Sequence, residues 1–194
     1  MLLTSLLRIY LTRSLKPFIF EGGMEEPLAY EALEDLGLYV HIPFCRSICS
    51  FCPYCKELYD RAKAEAYRDA LLQEIDLVCH TGRTPQKATS LYFGGGTPAL
   101  MIDDLKAVID KLKTYFILQD GIGVELHPDD VKDDVLEKLR LAGVTMVSIG
   151  VQSFDPECLR KLGRSPEDAA GKIALASTYG FEVIDADLIF AIPG

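Results

Sequence analysis

The sequence predicts an α/β fold, a parallel sheet curling as a partial TIM-type barrel, and three observations lead there. Short apolar runs alternate with amphipathic helical runs from Leu38 onward, the pattern of βα units joined by right-handed crossovers. No motif recurs from unit to unit, which argues against a solenoid. Every chemically unusual group also falls where a strand-like run ends, the place where parallel sheets build their sites.

The elements follow in order. Leu38–Ile42 reads as a strand, and a cysteine-rich loop comes after it. Arg61–Cys79 places Tyr67, Leu71, Ile75 and Val78 at helical spacing. Thr89–Phe93 is the second strand, ending in Gly94-Gly95-Gly96-Thr97-Pro98, and the next helix carries Leu105, Val108, Ile109, Leu112 and Phe116 on one face. Ile122–Leu126 is a third strand. Asp130–Ala142 is a helix with Val131, Val135 and Leu139 inward and Gly143 at its C′ position. Val144–Ile149, a helix over Pro166–Tyr179 closed by Gly180, and a strand over Phe181–Phe190 complete the series. Ala191-Ile-Pro-Gly194 follows that fifth strand with no covering helix, so residues 38–194 are expected to be an incomplete core, truncated after about five strands.

Residues 1–37 form a separate expectation. Leu3, Leu6, Leu7, Tyr10 and Leu11 recur at helical spacing and predict a helix packed on the protein. Arg8, Arg13 and Lys16 leave room for a basic helix lying on a membrane surface. The apolar runs are too short to span a bilayer and lack a signal-peptide pattern. Glu21–Gly37 holds six acids and no base, with Gly22-Gly23 and Pro27, and reads as a connector.

Composition narrows function. The 194 residues are 49% hydrophobic and 25% charged, as in ordinary soluble domains, and the formal charge of −9 argues against nucleic acid as a partner. Six cysteines without a secretory signal imply reduced thiols or metal ligands in a cytoplasmic protein.

Four of those cysteines lie in HIPFCRSICSFCPYCK, residues 41–56. Cys45, Cys49 and Cys52 are spaced C-x3-C-x2-C, and Cys55 adds a further x2-C. Structural zinc sites draw their thiolates from two separated knuckles, which this loop is not. Ferredoxin-type spacing also differs. A [4Fe–4S] cluster asks for one ligand per iron, so three cysteines would leave one iron open for a substrate or cofactor.

This spacing, with Phe51 just before the third cysteine, resembles the radical S-adenosylmethionine (SAM) superfamily. The set YVHIPFC, GGGTP, GVQSF and DLIF, in that order, resembles more closely the oxygen-independent coproporphyrinogen III oxidase family, including its haem chaperone branch. The resemblance covers Leu38–Gly194 and implies a (β/α)6 radical SAM barrel. It further implies a [4Fe–4S] cluster on Cys45, Cys49 and Cys52, with SAM on the open iron and cleaved to a 5′-deoxyadenosyl radical. Tyr39, Phe51, Gly95, Gly96, Thr97, Glu125, Gln152, Arg164 and Asp187 match the family's SAM-contacting positions. A tetrapyrrole substrate or haem, and a low-potential electron donor such as flavodoxin or ferredoxin, are the implied partners. The oxidase version decarboxylates propionates oxidatively; a haem-binding chaperone and a methyl-transferring or haem-degrading relative are the alternatives. The oxidase has its fourth cysteine one residue beyond the third ligand, and the chaperone branch lacks it. Cys55 fits neither branch and is expected not to be a ligand. Cys79 and Cys158 are read as buried or idle thiols, and His41 as a structural histidine.

Overall fold

The computed structural model describes residues 30, 33, 35–79, 85–165 and 168–192. The expected N-terminal helix and most of the connector lie outside the described residues. Five parallel strands form the main sheet: β1 (Gly37–Ile42), β5 (Ser90–Gly95), β7 (Ile122–Leu126), β8 (Met146–Gln152) and β9 (Val183–Leu188), hydrogen-bonded in that sequential order. Sequential order in an all-parallel sheet is the signature of a winding barrel wall rather than a doubly wound sheet.

The helices on the outer face are α1 (Arg61–Cys79), α2 (Ile102–Leu112), α3 (Asp133–Leu141), α4 (Pro156–Lys161) and α5 (Ala169–Ser177). Alternation sets the two faces of the sheet. Val40, Ile42, Leu91, Phe93, Ile122, Val124, Leu126, Val147 and Ile149 point toward the helices and are buried. Leu105, Val108, Ile109 and Leu112 answer them from α2, and Val135, Leu136 and Leu139 from α3. These spacings put one apolar stripe on each helix, as the sequence predicts. Truncating a fully buried member such as Leu105 or Ile109 would cost about 2–5 kcal/mol. On the opposite, concave face stand Tyr92, Gly94, Glu125, Ser148, Gly150 and Asp187, smaller and more polar, and this face opens toward the site.

The helix ends obey their sequence signals. Asp103 and Asp104 occupy the first turn of α2, Lys111 its last turn, and Asp155 caps α4 by accepting from the Glu157 and Cys158 amides. Gly143 follows α3 at φ +89° and donates its N–H to the Arg140 carbonyl.

Several boundaries differ from expectation. Phe116 belongs to a short strand, β6 (Phe116–Leu118), paired with β4 (Gln86–Ala88) beneath the main sheet. Helix α2 stops at Leu112 and the chain turns, so Phe116 is buried from a different element. Asp130 lies in a 3-10 turn (Pro128–Asp130), and α3 begins only at Asp133. Helix α4 and the two-residue strands β2 (Phe44–Cys45) and β3 (Glu57–Leu58) are too short to leave a periodic pattern.

Candidate functional site

Beyond the C-terminal ends of the strands lies a cleft of about 470 Å³. Its first wall is the cysteine loop. β2 and β3 pair in parallel and close the loop, with Glu57 donating its N–H to the Pro43 carbonyl at 2.7 Å and Tyr59 to the Cys45 carbonyl at 2.9 Å. Cys45, Cys49 and Cys52 are free, partly exposed, and all line the cleft together with Phe51. Cys55 is exposed and does not line it; its carbonyl is held by His41 Nε2 at 2.9 Å. Cys79 sits buried on α1 and Cys158 on α4, both off the cleft.

The turn after β5 supports this loop from below. Gly96 donates its N–H to the Ile42 carbonyl and Thr97 to the Phe44 carbonyl, each at 2.7 Å. A Cβ on Gly96 would stand 2.5 Å from the Phe44 oxygen and 2.8 Å from that of Ile42, so only glycine lets the two segments meet. Gly95 adopts φ +110° and aims its N–H at Glu125 Oε2, 3.0 Å away. Thr97 is buried, and its hydroxyl favours the Cys45 thiolate, but burial outweighs it and pushes that thiol up in pKa.

The second wall is made of side chains. Burial raises the pKa of Glu125, a shift opposed by the Gly95 N–H and reinforced by the negative charge of Asp187. Asp187 Oδ2 accepts from Ser148 Oγ at 3.0 Å. An irregularity in the β8–β9 pairing between Ile149 and Gln152 places Gln152 at φ +65°, turning its side chain into the cleft. Arg164 donates from Nη1 to the Gly150 carbonyl at 3.2 Å, while its buried Nε has no partner among the described residues. A buried, unsatisfied guanidinium N–H on a cleft wall marks a place for an acceptor from outside.

Two features of this wall are invisible in the sequence pattern. His127 accepts the Asp129 N–H through Nδ1 at 3.2 Å, which requires a neutral ring. Burial, with Arg164 and Arg46 nearby, pushes its pKa down to about 4. Asp130 is 1% exposed and pairs with Arg46 of the cysteine loop, Nη1 to Oδ2 being 2.6 Å. That pair links positions 84 residues apart. Lys56, which also lines the cleft, has one sequence signal, its place directly after the cysteine run.

The structure therefore gathers Cys45, Cys49, Cys52, Phe51, Gly95, Gly96, Thr97, Glu125, Gln152, Arg164 and Asp187 around one cleft. Tyr39 is the exception. It lies within β1 rather than at its end, is 59% exposed, stacks on Tyr92 and bonds His41 Nδ1 at 3.3 Å. Its ring stands on the concave face, against Gly94 and within electrostatic reach of Glu125, beside the cleft rather than in its lining, and it also borders an apolar groove next to α1.

Among the described residues no three His, Cys, Asp or Glu side chains converge to hold a single metal ion.

A family model for the radical SAM superfamily matches residues 39–194. The chain belongs to the radical SAM superfamily. A [4Fe–4S] cluster and SAM are the general cofactors of that family. A haem chaperone, HemW, of Bacillus subtilis is 36% identical over 163 residues, covering 80% of this chain and 42% of that protein. An oxygen-independent coproporphyrinogen III oxidase of Pseudomonas aeruginosa is 34% identical over 171 residues, 84% of this chain and 37% of that protein. The structure of the Escherichia coli coproporphyrinogen III oxidase HemN, a radical SAM enzyme, superposes with a TM-score of 0.72 at 34% identity, covering 82% of this chain and 38% of that one. The chain thus spans about two fifths of the length of the relatives it matches. The partial radical SAM barrel expected from the sequence is the fold observed. Among the described residues no helix is long and apolar enough to cross a membrane.

Proposed function

We propose that the chain is the cofactor-binding core of a radical SAM oxidoreductase acting on a tetrapyrrole. One observation supports this above the others: three cysteines at C-x3-C-x2-C spacing share a single cleft with Glu125, Gln152, Arg164 and Asp187. Cys45, Cys49 and Cys52 would hold a [4Fe–4S] cluster, which when reduced supplies the electron for SAM cleavage to a 5′-deoxyadenosyl radical. The residues fit the pair of cofactors. SAM presents an amino group, a carboxylate and a sulfonium, and the cleft offers both signs of charge. Glu125 and Asp187 would answer the positive groups, and the buried Arg164 Nε without a partner among the described residues would suit the carboxylate. Gly96 lets the turn after β5 pack directly on the cysteine loop, and Phe51 on the cleft wall would offer an aromatic face to the adenosine.

On a tetrapyrrole the oxidase-like reaction, oxidative decarboxylation of propionates, is the preferred reading, with a low-potential flavodoxin or ferredoxin as electron source. Haem binding without turnover is the second reading, favoured by the likeness to the Bacillus subtilis chaperone. Anaerobic reconstitution tests the core claim: iron and sulfide content, then electron paramagnetic resonance (EPR) of the reduced protein with and without SAM. The expected result is about four irons per chain, a count set by the one-ligand-per-iron cubane, and a spectrum that changes with SAM. A spectrum indifferent to SAM overturns it. Turnover of coproporphyrinogen III against stoichiometric haem transfer then separates the two readings.

A further inference from the structure

The cysteine loop holds a cation on its own backbone. Lys56 Nζ donates to the Cys49 carbonyl at 3.1 Å and to the Cys52 carbonyl at 2.5 Å. Those carbonyls belong to two of the three cysteines on the cleft, and the Cys52 N–H meets the Cys49 carbonyl at 3.4 Å, closing a turn between them. The main chain on either side of Lys56 is pinned as well. The preceding carbonyl, of Cys55, is bonded by His41, and the following amide, of Glu57, bonds Pro43. Lys56 is partly buried and lines the cleft, so its ammonium stands inside the loop rather than in bulk water.

Two consequences follow from elementary electrostatics. A turn with two carbonyls converging inward is unfavourable without a donor between them, and a charged donor is about twice as strong as a neutral one. A fixed positive charge a few bonds from two thiolates also lowers the energy of any added electron, the more so in a partly dehydrated site. Net charge and hydrogen bonding around the cysteines are among the levers that set cluster potentials.

We propose that Lys56 is the positioning residue of the cysteine loop, its ammonium locking the Cys49 and Cys52 carbonyls and raising the reduction potential of the cluster the loop holds. The inference rests on the assignment of Cys45, Cys49 and Cys52 as ligands. It is tested by reconstituting wild type, K56R, K56Q and K56M in parallel without oxygen. Iron and sulfide per chain are measured, then the reduction potential by EPR-monitored titration. K56R is expected to match wild type in both. K56Q keeps a donor for the carbonyls but loses the charge, so it should retain most of its iron and reduce at a more negative potential. K56M loses both and should show the lowest iron content. A wild-type cluster with K56Q titrating at an unshifted potential overturns the role of Lys56 alone. A wild-type protein that takes up no cluster overturns the ligand assignment itself, and this role with it.

Discussion

The two walls of the cleft are built from different materials. The wall formed by β1, β5 and the cysteine loop is main chain: amides of Gly96 and Thr97 on carbonyls of Ile42 and Phe44, and the Glu57 amide on Pro43. The wall formed by β7, β8 and β9 is side chain: Glu125, Gln152, Arg164, Asp187 and the neutral His127. A backbone wall has no slack, since each atom is fixed by the fold and an added carbon has nowhere to go. A side-chain wall accepts isosteric change and loses only the charge it presents. On the proposed function, the first would fix where a ligand sits and the second would select which ligand sits there.

The largest effect should therefore come from the first wall. In G96V the new side chain meets two backbone oxygens, 2.5 and 2.8 Å from its Cβ. Overpacking against fixed atoms costs about 1–3 kcal/mol, and relief would push the GGGTP turn off the cysteine loop. Urea unfolding should show that loss, and reconstituted G96V should take up less iron than wild type. Wild-type stability and iron content would mean the two segments do not depend on each other.

The second wall should respond differently. E125Q keeps an oxygen for the Gly95 N–H but removes the charge that burial disfavours. The folded-state pKa of Glu125 is raised, so its contribution to stability is present below the ordinary carboxylate range and lost as pH rises through the shifted value. At neutral pH E125Q should therefore unfold at an unchanged or slightly higher urea concentration. SAM affinity should drop roughly tenfold, the loss of about 1.4 kcal/mol expected for one charged hydrogen bond. Equilibrium dialysis against SAM checks it, and a loss of stability with affinity intact would reverse the assignment.

The same division explains what was legible in the sequence. Cysteine and glycine act here through their own identity at fixed spacing, so the cysteine cluster and the GGGTP turn stood out in the sequence, while their roles came from the family resemblance. The apolar stripe of α2 was equally plain, because a helix repeats its pattern over several turns. The second wall is placed by register and by one irregularity at Gln152; strand-end position pointed to Glu125, Gln152 and Asp187, and the family resemblance supplied their SAM-contacting role. Nothing local marks the Arg46–Asp130 pair, which joins residues distant in sequence. His127 likewise has a structural task that its place in the sequence does not announce, capping the turn at Pro128–Asp130.

That task makes His127 a pH-dependent brace for the second wall. Its pKa falls from 6.5 to about 4 in the fold, so the unfolded chain binds the extra proton between those values. Stability from this group is full above pH 6.5 and drains away as pH falls toward 4, by about 3 kcal/mol at most. H127N keeps an acceptor for the Asp129 N–H without titrating there. Its unfolding free energy should vary less between pH 4 and 6.5 than that of wild type, and identical slopes would show that the ring is not held neutral.

The smallest effect should belong to Cys55, and it bears on both walls. Its thiol is exposed and off the cleft, and the contact that involves it uses its carbonyl, which any residue supplies. C55S should then match wild type within about 0.5 kcal/mol, as surface substitutions do. Iron content, the reduced EPR spectrum and its response to SAM should be unchanged too. A fourth thiolate on the cluster would occupy the position through which SAM binds, so a Cys55 ligand predicts the opposite: C55S would gain or strengthen the SAM response. That outcome would place the ligand-selecting function in the loop itself and leave Glu125 and Arg164 with only a structural part.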